Sequence, residues 1–503
     1  MEILQTLKFG SRVLFYLPYT GVTERAQLEF ALIRELSRKG IQVDLLRCRG
    51  GLPGPCAVKR SIHGEVQKLG KFTERVICVN CQRAAQQLSE LPGVTSAYIE
   101  DFLTAEDLAR LEKLQSSVLP NCWSDFVYCN LPIGRYAAYV PLIRANAAGP
   151  ADLVLDWERY LSELKACLFV AEATSKLVNN QDYDLLVAFG GLYGPDRTFL
   201  RIAEQHRVPV IVLEGSALAQ EQTSALHSYY SDEKYFHVVF SQYWKDWKSK
   251  PLSNLSAQRA FNHHKALTES SSPLVYSSLR NPTSQAEDIL QHFQIPSGSK
   301  VVVFTVSSPD EEVAREYSGD EMPVIDRDSV TLQLDCVEQL RRYVQTNPST
   351  YLVIRLHPRL FKARSRRTDS PSLAYYSKLA SDNSQNVRFN TPDQNISLYD
   401  LIQIADVGVT HQSSTALEFL AFGLPVVVGG QTFTTCPHDL VRVPYDQHSL
   451  HQHLTEALFE EASIQRSMET FRWWGFVSHF NRVLHISVEN EEPARSNGDQ
   501  LIS

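Results

Sequence analysis

Three hydroxyl side chains stand in a row at Ser413, Ser414 and Thr415, between the apolar run that ends in "DVGVT" and the apolar run "ALEFLAF". Hydroxyls placed after a strand and at the mouth of a helix join the unpaired first-turn N–H groups, and the helix dipole favours negative charge there, so the stretch reads as a phosphate cradle. The same letters carry a second reading. Thr415 with Glu418 three residues on has the spacing of a capping box, which closes a helix start without any ligand. A histidine at a second strand end, His357, precedes Pro358, whose fixed φ and missing N–H make the turn rigid and hold the imidazole in place. Arg355 and Arg359 flank it, and "KARSRR" (362–367) adds cations that also suit a solvated loop. Ser307 and Ser308 follow a third strand, and ligands of open α/β sheets gather where strands end and helices begin.

Cysteines form the other constellation. Cys48 and Cys56 bracket "RGGLPGP", and Cys78 with Cys81 makes a C-x-x-C, the half-site of a tetrahedral zinc centre. Four thiolates from these positions would give a closed structural zinc site. Four unrelated core cysteines are the other reading.

Elements able to position these groups follow from periodicity. "SRVLFYLPY" (11–19) reads as a strand, the stretch from Thr23 as a helix stopped at Gly40, and "IQVDLL" (41–46) as the next strand. Strand, helix and strand in so short a span form a parallel unit with a crossover. The unit returns at 182–191, 195–206 and 208–215. A Ser-, Pro- and Asn-rich stretch between 268 and 299 reads as a linker, and a second series begins with "KVVVFTVSS" (300–308), a helix over 327–346 and "TYLVIRLHPR" (350–359). The expected organisation is α/β: a Rossmann-like domain over 1–275, a second over 276–451, helices over 452–486 docking across both, and a disordered polar tail at 487–503.

With 503 residues, 43% hydrophobic and 21% charged, the chain is long enough for several domains, and its net charge of −8 argues against a nucleic-acid partner. The first apolar run is short and flanked by charge, so it reads as a buried strand rather than a signal peptide, and no stretch reaches the length of a membrane helix. A soluble, cytoplasmic, thiol-reduced protein is expected.

"RLHPR" followed by "ISLYDLIQIADVGVTHQSSTALEFLAFGLPVVV" resembles the bacterial capsule polysaccharide biosynthesis family, a branch of the GT-B glycosyltransferases that includes polysialyltransferase-like and Kdo-transferase-like enzymes. The resemblance is strongest over 300–430, where "VVVFTVSSPDEE" is similar to the family's opening strand and serine loop. The N-terminal half matches in layout and in marks such as "LEGS". The resemblance implies a GT-B fold, two doubly wound domains facing across a cleft, and a nucleotide-sugar donor in the second. It implies that His357 contacts or protonates the leaving phosphate, that Ser413, Ser414 and Thr415 hold it, and that Glu418 meets the nucleotide ribose. Ser307, Ser308, Arg355 and Arg359 complete the donor side.

Inverting transfer also needs a base for the acceptor hydroxyl. Glu214, in "VIVLEGS" beside Gly215, is the candidate, although the chain lacks the acidic-acidic-glycine pattern of polysialyltransferases. The expected activity is transfer of a sugar to a surface or capsule polysaccharide or its lipid-linked precursor, with no cofactor required and peripheral contact at the inner face of the membrane where the acceptor is lipid-linked. Rival readings are a polyol-phosphate transferase, a sugar epimerase of the same fold, and a non-catalytic scaffold that binds nucleotide or glycan.

Overall fold

The computed structural model describes residues 7–21, 23–52, 56, 58, 71–219, 221, 225–230, 236–269, 285–319, 333–357, 371–381, 386–411, 413–429, 436–479 and 483–485. The expected disordered tail, the boundary at 275, Arg359 and the "KARSRR" run lie outside them.

The chain opens with β1 (Arg12–Tyr16), α1 (Thr23–Arg38) and β2 (Gln42–Arg47), then α2 (Lys71–Ala84), β3 (Val94–Tyr98) and α3 (Ala105–Ser116). β1 is apolar from Val13 to Tyr16, and β2 is buried from Val43 to Arg47, Asp44 included, because both faces of the sheet are covered, as a parallel sheet requires. Gly40, at φ +74, supplies the left-handed residue that stops α1. The helical hairpin α4 (Ile133–Arg144) and α5 (Trp157–Asn180) follows, then β4 (Leu185–Phe189), α6 (Gly194–Gln205), β5 (Val210–Gly215) and β6 (Ala225–Tyr230). Helices α7 (Phe236–Trp247) and α8 (Asn254–Thr268) complete this half.

The second half runs α9 (Ala286–His292), β7 (Lys300–Thr305), α10 (Pro309–Tyr317), α11 (Gln333–Thr346), β8 (Thr350–Arg355) and α12 (Pro371–Ser381). It continues with β9 (Val387–Asn390), α13 (Leu398–Ile402), β10 (Val407–Thr410), α14 (Thr415–Ala421) and β11 (Val426–Val428). Its last elements are α15 (Gln447–Leu458), α16 (Ile464–His479) and β12 (Val483–His485). The expected 327–346 helix is described from Gln333 onward.

Two sheets result. The first has the order β12-β6-β5-β4-β1-β2-β3 and the second β11-β10-β7-β8-β9. All described pairings are parallel except those of β6 with β5 and with β12. Each sheet buries apolar residues on both faces, and one core is continuous from α4, α5 and α6 into α10, α13 and α14 of the second half. The halves also meet through polar contacts: Arg197 donates to the Ser318 carbonyl at 3.0 Å, and Trp244 Nε1 to Asp439 at 3.1 Å.

The C-terminal segment departs from the expected division. Residue 451 falls inside α15, which packs on β10 and β11 and so belongs to the second domain. Only α16 crosses, lying on α8 of the first half and α14 of the second, and β12 then enters the first sheet as its edge strand. The helical periodicity before residue 480 concealed that strand, which is three residues long.

Close approach of α14 to its own strand depends on Gly408, where an added Cβ would lie 2.4 Å from the Phe419 ring. Gly408→Ala is therefore expected to destabilise the fold by about 1–3 kcal/mol through overpacking, measured by denaturant unfolding.

Candidate functional site

A doubly wound sheet binds ligands where the strand order reverses, in the crevice beyond the carboxyl ends of the two diverging strands. In the second sheet the reversal lies between β7 and β10, since β8 and β9 continue to one side and β11 to the other. Thr410 registers with Thr305, Thr305 with Arg355, and Arg355 with Asn390. One row of polar side chains thus crosses four strands at their carboxyl ends.

Beyond that row the three loops converge. The Thr305 and Thr415 hydroxyls are 2.6 Å apart, and Thr415 donates to Ser413 Oγ at 3.0 Å while its backbone N–H reaches the same oxygen at 3.3 Å. Ser413 and Thr415 are partly buried and Ser414 is exposed. Ser307 and Thr410 contribute hydroxyl oxygens that are buried without a hydrogen-bond partner. Such an oxygen costs free energy unless a ligand or water satisfies it. The Ser307 N–H donates to the Gln333 side chain at 2.6 Å, which fixes the loop after β7 to the start of α11. His357 lies just beyond β8, two residues after Arg355, partly buried.

Sequence expectations at α14 are met unevenly. Thr415 is its first helical residue, Ser414 is the N-cap, and neither makes a capping-box bond. Glu418 is buried and instead accepts the Tyr399 hydroxyl at 2.5 Å. Burial, then the Glu418 charge, pushes the Tyr399 phenol well above its ordinary pKa, so it stays a donor. With seven residues, α14 is too short for a full dipole. The anion-binding capacity comes from hydroxyls of separate loops.

Arg355 also has work inside the fold. Its guanidinium donates to Asn390 Oδ1 at 2.5 Å and to the Ile396 carbonyl at 2.8 Å. Burial lowers its pKa to about 10, against the opposing effect of Glu418 and Asp400. The Ser308 hydroxyl donates to Asp310 at the entry of α10, and so orders the helix start.

A buried pair was not singled out from sequence. His411 Nδ1 lies 2.9 Å from Glu312 Oε1, and the Gln333 backbone N–H donates to that same oxygen at 2.9 Å. Glu312 and His411 thus join α10 to the loop after β10. Glu312 entered the sequence reading only as part of "VVVFTVSSPDEE", and nothing local ties it to a histidine 99 positions away.

Glu214 closes β5, opposite His227 of β6, and accepts the Tyr229 hydroxyl at 2.9 Å. Burial raises its pKa to about 7, and the Tyr229 hydrogen bond opposes the rise. A carboxylate tuned to this value can take up and release a proton near neutrality.

Reversal in the first sheet lies between β1 and β4. Its strand ends hold a cavity to which Cys48, Cys56, Cys78 and Cys81 all contribute. Both cysteine pairs line this cavity, but among the described residues no three His, Cys, Asp or Glu side chains are grouped to hold a metal ion. The thiols have partners of their own: Cys48 Sγ takes the Gly50 N–H at 3.1 Å and faces Glu100 Oε1 at 3.5 Å, and Cys81 Sγ lies 3.3 Å from the Thr20 hydroxyl. Burial, then Glu100, pushes the Cys48 thiol up to about 12.

No protein-family model matches the sequence, and no curated protein matches it. Among solved structures, Thermosulfurimonas dismutans KpsC, a beta Kdo 2,4 transferase, superposes with a TM-score of 0.35 at 11% identity, over 60% of this chain and 81% of that one. UDP-GlcNAc 2-epimerase from Neisseria meningitidis gives 0.30 at 11% identity over 93% and 97%. The calicheamicin glycosyltransferase CalG4 gives 0.27 at 12% identity over 93% and 95%. Likeness at this level carries no inference about activity. The paired doubly wound sheets and the returning C-terminal helix define the architecture by themselves. It is the GT-B arrangement. No helix among the described residues is long and apolar enough to cross a membrane.

Proposed function

We propose that the chain moves a sugar from a nucleotide-sugar donor to a hydroxyl of a surface or capsule glycan, or of its lipid-linked precursor. The observation that supports this most is the convergence of Ser307, Thr410, Ser413 and Thr415 hydroxyls at the β7/β10 reversal, two of them buried and unpartnered. Several hydroxyls and a neighbouring imidazole suit a diphosphate, which offers many acceptor oxygens.

In the proposed reaction the Glu214 carboxylate takes the proton of the acceptor hydroxyl. The acceptor oxygen bonds to the anomeric carbon as the bond from that carbon to the phosphate oxygen breaks. The electron pair leaves on the phosphate, where the Ser413, Ser414 and Thr415 hydroxyls hold it and His357 donates to it. Preorganised donors aimed at developing charge give the largest rate effects in such chemistry. Arg355 and Glu418 act from beneath, fixing β9 and α13 against the site. Their role in this reading is to support the donor, and Glu418 meets the ribose only if Tyr399 releases it.

Titration with nucleoside diphosphates and their sugars tests the reading. A cognate donor at 100 times its dissociation constant is expected to stabilise the chain by about 2.7 kcal/mol, seen as a thermal shift, and to turn over when an acceptor is added. Binding without turnover across a glycan acceptor panel would leave a scaffold, and no stabilisation by any nucleotide would remove the donor site.

A further inference from the structure

Glu312 takes no part in the proposed transfer, yet one of its oxygens reaches toward both donor loops. His411 Nδ1 lies 2.9 Å from Glu312 Oε1, and the Gln333 N–H donates to the same atom at 2.9 Å. Each of these contacts leads to a hydroxyl that is buried without a partner. Gln333 grips the Ser307 backbone at both of its polar groups: Oε1 accepts the Ser307 N–H at 2.6 Å, and Nε2 donates to the Ser307 carbonyl at 3.4 Å. With its backbone held, Ser307 has its hydroxyl left over. His411 directly follows Thr410, whose hydroxyl is the other one, and stands two residues before Ser413. The far edge of its ring is fixed as well, since an added Cβ on Gly429, after β11, would come within 3.2 Å of Cδ2.

A buried hydroxyl without a partner favours any rotation of its loop that lets the protein satisfy it, so something must hold these two loops in place. Glu312 and His411 are both buried. A buried ion pair adds little stability over apolar side chains of equal volume, so its effect is felt in the geometry it fixes. We propose that Glu312 is the positioning residue of the donor site. From one oxygen it holds the Ser307 loop through Gln333 and the Ser413–Thr415 loop through His411, and so keeps the Ser307 and Thr410 hydroxyls available to the donor phosphate. This role rests on the nucleotide-donor reading; the tether itself does not.

Hydrogen exchange of the full chain, with calorimetric titration by UDP, GDP, dTDP and CMP, tests it. Glu312→Gln keeps the size and removes the charge. Exchange is expected to quicken about tenfold at both Ser307 and Thr415. Affinity for the nucleotide that binds the parent chain should weaken roughly 10–100-fold, the range of one hydrogen bond to a charged group. Gln333→Met cuts one arm and should quicken exchange at Ser307 alone, whereas His411→Leu cuts the other and should quicken it at Thr415 alone. His411→Asn can place an amide nitrogen where Nδ1 stands and should keep affinity within about threefold of the parent. A carboxylate that only stabilised the domain would instead loosen β7, β8 and β10 together. Such uniform loosening, or parental nucleotide affinity in folded Glu312→Gln, overturns the proposal; where that variant does not fold, parental affinity in both single-arm variants does so. A parent chain that binds none of the four nucleotides removes the donor reading and this role together, and its own titration tells that outcome from failure of the role alone.

Discussion

His357→Ala, and separately the double substitution Ser413→Ala with Ser414→Ala, are each expected to lower sugar transfer by about 100-fold or more, a few kcal/mol of transition-state stabilisation. Folding should survive both, because His357 and Ser413 are only partly buried and Ser414 is exposed. The loss should fall on kcat more than on KM for the double variant, since donors aimed at a leaving phosphate act as its charge develops. A helix-start role alone would lower stability by about 1 kcal/mol and leave the chemistry intact. Steady-state kinetics beside urea unfolding distinguish the two, and near-normal turnover in either variant ends the assignment. Thr415→Val is a sharper control: it removes the hydroxyl that joins Thr305 to Ser413 and keeps the shape.

Glu214→Gln is expected to lose at least about 100-fold in transfer while nucleotide affinity stays unchanged. The pH profile gives the sign. A base must be ionised, and with its pKa raised to about 7, transfer should climb from pH 6 to pH 8 with its midpoint near 7. Stability runs the other way. The folded carboxyl holds its proton more tightly than the unfolded one, so its contribution is fully present below the ordinary glutamate value and is lost as pH rises through 7. The span is on the order of 3 kcal/mol, and it should vanish in the glutamine variant. A flat rate profile in the parent chain, or a retained limb in the variant, means another group takes the proton.

Much of the frame was legible in local pattern. Continuous apolar runs such as "RVLFY" and "KVVVF" marked strands buried on both faces, and Gly40 marked a helix end because the backbone there turns left-handed. Ser307, His357 and Ser413 were visible as residues that follow strands. What stayed hidden depends on partners far along the chain. The capping-box spacing of Thr415 and Glu418 was real, yet Tyr399 offers Glu418 a buried hydroxyl and wins it. The antiparallel β6 and β12 carry no signal that sets them apart from neighbouring helix and loop, and the Glu312–His411 pair forms only once α10 meets the loop after β10. Both cysteine pairs line one cavity, but spacing is silent about side-chain direction and partners, and Cys48 and Cys81 are engaged by Gly50 and Thr20.

The pairing of β12 with β6 bears on how the protein is made. β6 leaves the ribosome about 250 residues before its neighbour, so at ordinary synthesis rates its outer edge waits roughly 13–50 s for a partner. Through that interval the first domain has a bare strand edge, and an unpaired edge invites another chain. The second domain must be finished before the first can be sealed, which makes β12 a latch on a domain completed long before it.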